Sequence, residues 1–157
     1  MLPFVSYIRS KITQSGKFSV LLLLSLYVFS GVNAADTLKV CRDCKYPNII
    51  SAIQAAGKND VVVVKTGNYS EGKIIIDIPL TLIGEGFPVV EGDGQLDVFF
   101  IDADSVVITG FEIVNTGISY TNDIAGIKIN GHHHCLIEDN RLINTFFGIY
   151  LKHAAHC

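Results

Sequence analysis

Residues Val106–Thr116, VVITGFEIVNT, align without a gap on Cys135–Thr145, CLIEDNRLINT, so that each position of the first stretch has a counterpart in the second. LTLIG followed by FPVVEG (Leu80–Gly92) fits the same template one unit earlier, with Glu85 and Gly86 as the expected insertion at the turn. AGI at Ala125–Ile127 returns as FGI at Phe147–Ile149, at a shorter offset. Self-similarity at roughly 20 to 30 residues marks a chain whose units cannot bury an apolar face alone and must stack on one another. Short alternating or β-branched runs separated by Gly, Asn and Asp fill the sequence from Val61 onward, with no helical periodicity between them. Three short strands per repeat and no helix exclude a leucine-rich repeat and predict an all-β, right-handed parallel β-helix of about three to four coils. An antiparallel sandwich also has many short strands, but it does not require a gapless repeat.

One helix precedes the coils. In YPNIISAIQAAGKND (Tyr46–Asp60), Ile49, Ala52, Ile53 and Ala56 form one apolar stripe. Asn48 is the expected cap of its first turn, and Gly57 the expected left-handed residue that ends it. A short helix with one apolar face should close the open end of the first coil. The domains expected are therefore residues 1–34, then 35–60 with the capping helix, then 61–157 as coils.

Residues 1–34 have the pattern of a secretory signal. Arg9, Lys11 and Lys17 precede the apolar run FSVLLLLSLYVF (Phe18–Phe29), and VNA ends at Ala34, the expected cleavage site. The run is shorter than the roughly 20 residues that span a bilayer, so no retained membrane anchor is expected. Loss of those three cations from the 12 basic residues, with all 15 acids kept, takes the formal charge from −3 to −6. An acidic chain without a basic patch argues against a nucleic-acid partner. Periplasmic or secreted export places the four cysteines where disulfides persist.

GHHHCLIEDN (Gly131–Asn140) is the obvious place to look for a metal. The repeat suggests a plainer reading. Strand alternation puts Val106 and Ile108 inward, with Cys135 and Ile137 beneath them. His134 then points away from Cys135, while His132 and His133 belong to the preceding turn. Neighbours on an extended strand do not converge on one ion, as a tetrahedral site requires. The metal reading that survives is a ladder. If the next coil sets His153 beneath His132 or His134, with His156 close by, then His132, His134, His153 and His156 form an imidazole column suited to copper.

Cys41 and Cys44, in CRDC, read as half a zinc site, a redox pair or a small disulfide. A zinc site lacks its second pair, and a redox motif lacks its βαβ context, so the disulfide is preferred. Asn140 is expected as a left-handed turn former. Asp102, Asp104, Asp123 and Asp139 suit calcium or acid–base chemistry as well as a solvated surface, and NYS (Asn68–Ser70) matches a glycosylation acceptor. No catalytic set is assigned.

YPNIISAIQAAGKNDVVVVKTGNYSEGKIIIDIPLTLIGEGFPVVEGDG resembles the opening of secreted β-helix proteins of the pectin-lyase-like class. SYTNDIAGIKI (Ser119–Ile129) followed by IEDNRLINTFFGIYL (Ile137–Leu151) is similar to the NosD-like family, periplasmic accessory proteins that help mature the copper sulfide centre of nitrous oxide reductase. That resemblance implies a non-enzymatic protein with copper as its cofactor or cargo. It implies nitrous oxide reductase and copper-handling proteins as partners, and a chain that continues into further coils. It supplies no metal-ligand motif to transfer. The competing implication is a carbohydrate-binding or uronate-polysaccharide-active β-helix, a lyase, hydrolase or epimerase using calcium. Lys128, Asp139 and Arg141 would be its nearest reactive set. A surface adhesin or purely structural repeat needs no site at all.

Overall fold

The computed structural model describes residues 34–94, 96–119 and 121–157. The expected signal segment, 1–34, lies outside the described residues except for Ala34. Among the described residues, no helix is long and apolar enough to cross a membrane.

Ala35–Cys157 winds as a parallel β-helix with three sheets running along it. The first sheet stacks β1 (Thr37–Val40), β2 (Val61–Lys65), β5 (Thr81–Glu85), β8 (Val107–Thr109) and β11 (Leu136–Glu138) in that order. The second stacks β3 (Asn68–Ser70), β6 (Val89–Glu91), β9 (Glu112–Val114) and β12 (Arg141–Ile143). The third stacks β4 (Ile74–Ile76), β7 (Phe99–Ile101), β10 (Ala125–Asn130) and β13 (Phe147–Lys152). Every pairing between these strands is parallel. The first sheet has five strands, more than the three to four coils expected, because β1 forms a rung ahead of the helix.

Helix α1 (Ile49–Ala55) buries Ile49, Ala52 and Ile53 over the first rung. Asn48 caps it, with the Oδ1 accepting from Ser51 N at 2.8 Å. A second cap comes from Glu71, whose carboxylate accepts from Ile49 N at 2.7 Å and Ile50 N at 2.8 Å. A negative group there also faces the positive end of the helix dipole. Gly57 does not terminate the helix as expected. Ala56 turns extended, Gly57 N donates to Asp60 Oδ2 at 2.7 Å, and the left-handed residue is Asn59, φ 67°.

The repeat that carries 106–116 onto 135–145 holds in register: Leu136 pairs with Val107, Ile137 with Ile108 and Arg141 with Glu112. The earlier unit departs from the expected alignment by a single position. Thr81 pairs with Val107 but Val89 with Glu112, so the insertion is Glu85, Gly86 and Phe87. Phe87 is left-handed (φ 55°) and lies against the Arg141 guanidinium, 3.7 Å from its ring centroid, while Pro88 takes the inward place. A slip of one position exchanges the two faces of a strand, and this bulge keeps Val90 inside over Ile113.

The corners repeat as faithfully as the strands. Ser105 and His134 (φ 58° and 59°), Gly110 and Asp139 (80° and 51°) and Asn115 and Asn144 (56° and 52°) are left-handed pairs at equivalent positions of the two units. Asp139, not Asn140, therefore makes the turn. The Asn140 side chain instead fastens two coils: its Nδ2 donates to Ile108 O at 2.9 Å and its Oδ1 accepts from Phe111 N at 3.0 Å. At the Gly84–Gly110 corner the backbones touch so closely that a Cβ on Gly110 would sit 2.3 Å from Gly84 O.

Side chains from the three sheets fill the interior in columns, Ile74–Phe99–Ile127 and Leu82–Ile108 among them, all fully buried. Burial of each such side chain contributes roughly 1.5–3 kcal/mol. The Phe99 and Phe111 rings meet edge to face at 5.5 Å between centroids.

Candidate functional site

The histidines lie at one corner of the solenoid, where β10 and β13 end. The register of those strands, Ala125 over Phe147 through Asn130 over Lys152, continues past them into a bridge between His133 and Ala155. By the same register His156 lies opposite His134, and their imidazoles stack with centroids 5.4 Å apart and planes 11° from parallel. His153 is opposite Gly131, which has no side chain, so it lies under neither His132 nor His134. Of the four histidines expected as a column, His134 and His156 stack on each other, and His153 does not take the place expected for it.

His132 is held differently. Its Nδ1 lies 3.1 Å from Asp104 Oδ1 and its Nε2 3.3 Å from Asp102 Oδ1. A neutral imidazole has one N–H to give, so it donates to one carboxylate at a time. Asp104 Oδ1 also accepts from His133 N at 2.8 Å. That backbone bond, with the His132 contact second, holds the Asp104 carboxyl below its ordinary range. An ion approaching His132 would have to displace one of these carboxylate contacts. Among the described residues, no three or more His, Cys, Asp or Glu side chains are grouped to hold a metal ion.

Cys135 is inward as expected, just before the Leu136–Val107 pair and so beneath Val106, and both are buried. Its Sγ lies 3.6 Å from Ala103 O and 3.7 Å from His133 O, and the single S–H donates to one of them at a time. Burial is the main cause of its raised pKa. Cys41 and Cys44 are joined as a disulfide ahead of α1.

The outer surface of the third sheet carries a second group of polar side chains. Phe100, Lys128 and Tyr150 stand in register on β7, β10 and β13. Beside them Asp97 is buried, its Oδ1 accepting from Ala125 N at 2.9 Å, with Lys73 Nζ at 3.6 Å and Lys128 Nζ at 3.9 Å. Lys128 Nζ donates to Asp123 O at 2.6 Å, and Tyr150 OH donates to Asp123 Oδ2 at 2.7 Å, which raises the Tyr150 pKa. Lys73 Nζ lies 3.8 Å from the Phe100 ring centroid. Asp97, Asp123 and Lys128 edge a shallow cleft of ≈ 390 Å³ that Lys152 also lines.

Lys128, Asp139 and Arg141 do not assemble. Lys128 belongs to the third sheet, while Arg141 on the second faces Glu112 at 3.5 Å and Asp139 makes the corner between β11 and β12. Of the four acids singled out in the sequence, Asp102 and Asp104 meet at His132, and Asp123 joins the Lys128 group. Asp97 was not singled out, because an acid opening a strand looks like a turn residue until the lysines of two other coils stack beside it.

Comparison with protein-family models, with curated proteins and with solved structures finds no match.

Proposed function

We propose that this β-helix is a periplasmic accessory protein of copper-centre assembly, serving a nitrous oxide reductase as the NosD-like family does. The observation that carries the proposal is the His134–His156 stack on an exposed corner. Imidazole nitrogens are good copper ligands. The two rings lie face to face just past the ends of β10 and β13, exposed where a partner can approach. Exposed rings reorient in picoseconds to nanoseconds, so two stacked imidazoles can turn to flank one cation. Asp102 and Asp104 keep His132 back as a neighbouring polar anchor. Copper is the cargo in this reading, and no bond-making step is assigned to the chain.

Titration with cuprous and with cupric ion tests this proposal. Saturable binding is expected in the intact protein and should disappear when His134 and His156 are both replaced by alanine. Undiminished binding by that double variant would overturn it.

The Lys128 group supports a second reading, a carbohydrate-binding face. Phe100 and Tyr150 with Lys128 and Lys152 make a row of rings and cations on one sheet, a composition suited to an anionic sugar chain. The separation of Asp139 and Arg141 from Lys128 favours binding over cleavage. Retention on alginate or polygalacturonate that is lost on Lys128→Ala, without copper binding, would put this reading first.

A further inference from the structure

Cys157 stands to Cys135 as Phe147 stands to Ala125, Lys152 to Asn130 and Ala155 to His133, the pairs that set the register of the last two turns. The residues just before the two cysteines, His134 and His156, share the same left-handed conformation (φ 59° and 57°) and stack on each other. Their matching turns therefore deliver both cysteines to neighbouring rungs in register. Adjacent strands are spaced about 4.8 Å apart, inside the roughly 4.4–6.8 Å between Cα atoms that a disulfide spans. The two thiols also cluster about the same backbone stretch, Cys135 Sγ at 3.7 Å from His133 O and Cys157 Sγ at 3.9 Å from His132 O.

We propose that Cys135 and Cys157 form a redox clasp, a cross-rung disulfide that locks the histidine corner of the last turn onto the turn before it. The step needs an oxidant of the disulfide class, a thiol–disulfide oxidoreductase in its oxidised form or glutathione disulfide. The exposed Cys157 enters first. Its thiolate attacks one sulfur of that oxidant, forms a mixed disulfide and releases the other sulfur as a thiolate. The Cys135 thiolate then attacks Cys157 Sγ and releases the second. Two thiols lose two protons and two electrons, and the oxidant takes up both. Cys135 is buried and cannot meet a bulky oxidant first, which suits it to resolving a bond rather than starting one. Cys41–Cys44 is already closed, so these two thiols alone among the described residues remain to respond.

The test uses the whole protein equilibrated in glutathione redox buffers, then quenched with acid, unfolded in denaturant so that buried thiols are reached, labelled with iodoacetamide and mapped by peptide mass. Under reducing conditions mild enough to spare Cys41–Cys44, Cys135 and Cys157 should both label. Under oxidising conditions both should lose their label, a peptide joining Cys135 to Cys157 should appear, and the thermal midpoint should rise by roughly 5 °C. Cys157→Ser, which changes an exposed residue, should abolish the joined peptide and the rise while leaving the reduced midpoint unchanged. Three results would each overturn the clasp: both thiols still alkylated in the oxidising buffer, Cys157 held as an unresolved glutathione adduct, or dimers joined through Cys157.

Discussion

The turns under α1 and the last turn follow the same sequence rules, yet they are buried to very different degrees. Ile74, Phe99 and Ile127 are fully buried in one inward column, whereas Ile149, the next residue of that column, is 45% exposed. Ile76, Ile101 and Ile129 are likewise fully buried, and Leu151 beside them is 53% exposed. At the other end Ile49, Ala52 and Ile53 lie over the first rung and finish its core. An apolar residue in a solenoid is buried by the rung on either side of it more than by its own rung. Polar contacts also tie β11 and β12 to the rung before them: His132 with Asp102 and Asp104, and Asn140 with Ile108 O and Phe111 N.

The strongest way to break this contrast is to cut the same column at two heights. Ile129→Ala should cost about 2–5 kcal/mol, the range for a large aliphatic side chain removed from a closed core. Leu151→Ala, one rung on, should cost less than about 1 kcal/mol. Urea unfolding of both variants measures the difference, and equal losses would show that the last turn is packed as tightly as the others.

A smaller effect is expected at the backbone contact that closes the upper turns. Gly110→Ala must place a Cβ at 2.3 Å from Gly84 O in a left-handed conformation, and should destabilise by about 2 kcal/mol. The corresponding corner one turn later is Asp139, φ 51°. Asp139→Gly should therefore be neutral or slightly stabilising, because only the left-handed strain changes. Thermal melts of the pair sharpen the comparison between closed and open corners.

The smallest effect concerns acid. The folded-state pKa of Asp104 is depressed, chiefly by the His133 N–H. Such a group contributes stability that is present above its unfolded value, ordinarily 3.8, and is lost as pH falls through the folded value. Amides of His133 and His134 should thus exchange faster below about pH 4, while those of β2 and β5 should not. Asp104→Asn should remove that pH dependence. Acceleration spread evenly over all turns would tie the loss to the whole fold and not to this corner.

The strands, their parallel stacking and the inward place of Cys135 were legible from residues 106–116 and 135–145, because a gapless repeat leaves few other ways to bury two equivalent apolar faces. The first rung was not. Thr37–Val40 is a short run, and only its pairing with Val61–Val64 distinguishes it from a leader to the helix. The insertion at Glu85–Phe87 is longer than the expected Glu85–Gly86 for a similar reason. Phenylalanine is read as core by default, and only Arg141, two rungs away, gives Phe87 a partner outside.

By itself the sequence determined the architecture, since periodicity is a local property and every inward residue is marked by its own alternation. Only the tertiary structure decided which polar groups meet. It paired His156, not His153, with His134, set Asp102 and Asp104 about His132, and buried Asp97 between Lys73 and Lys128. Those meetings depend on the length of each turn, because a single position more or less moves a side chain to another column. Turn length is settled by backbone geometry at the corners, where the residue types alone permit several answers.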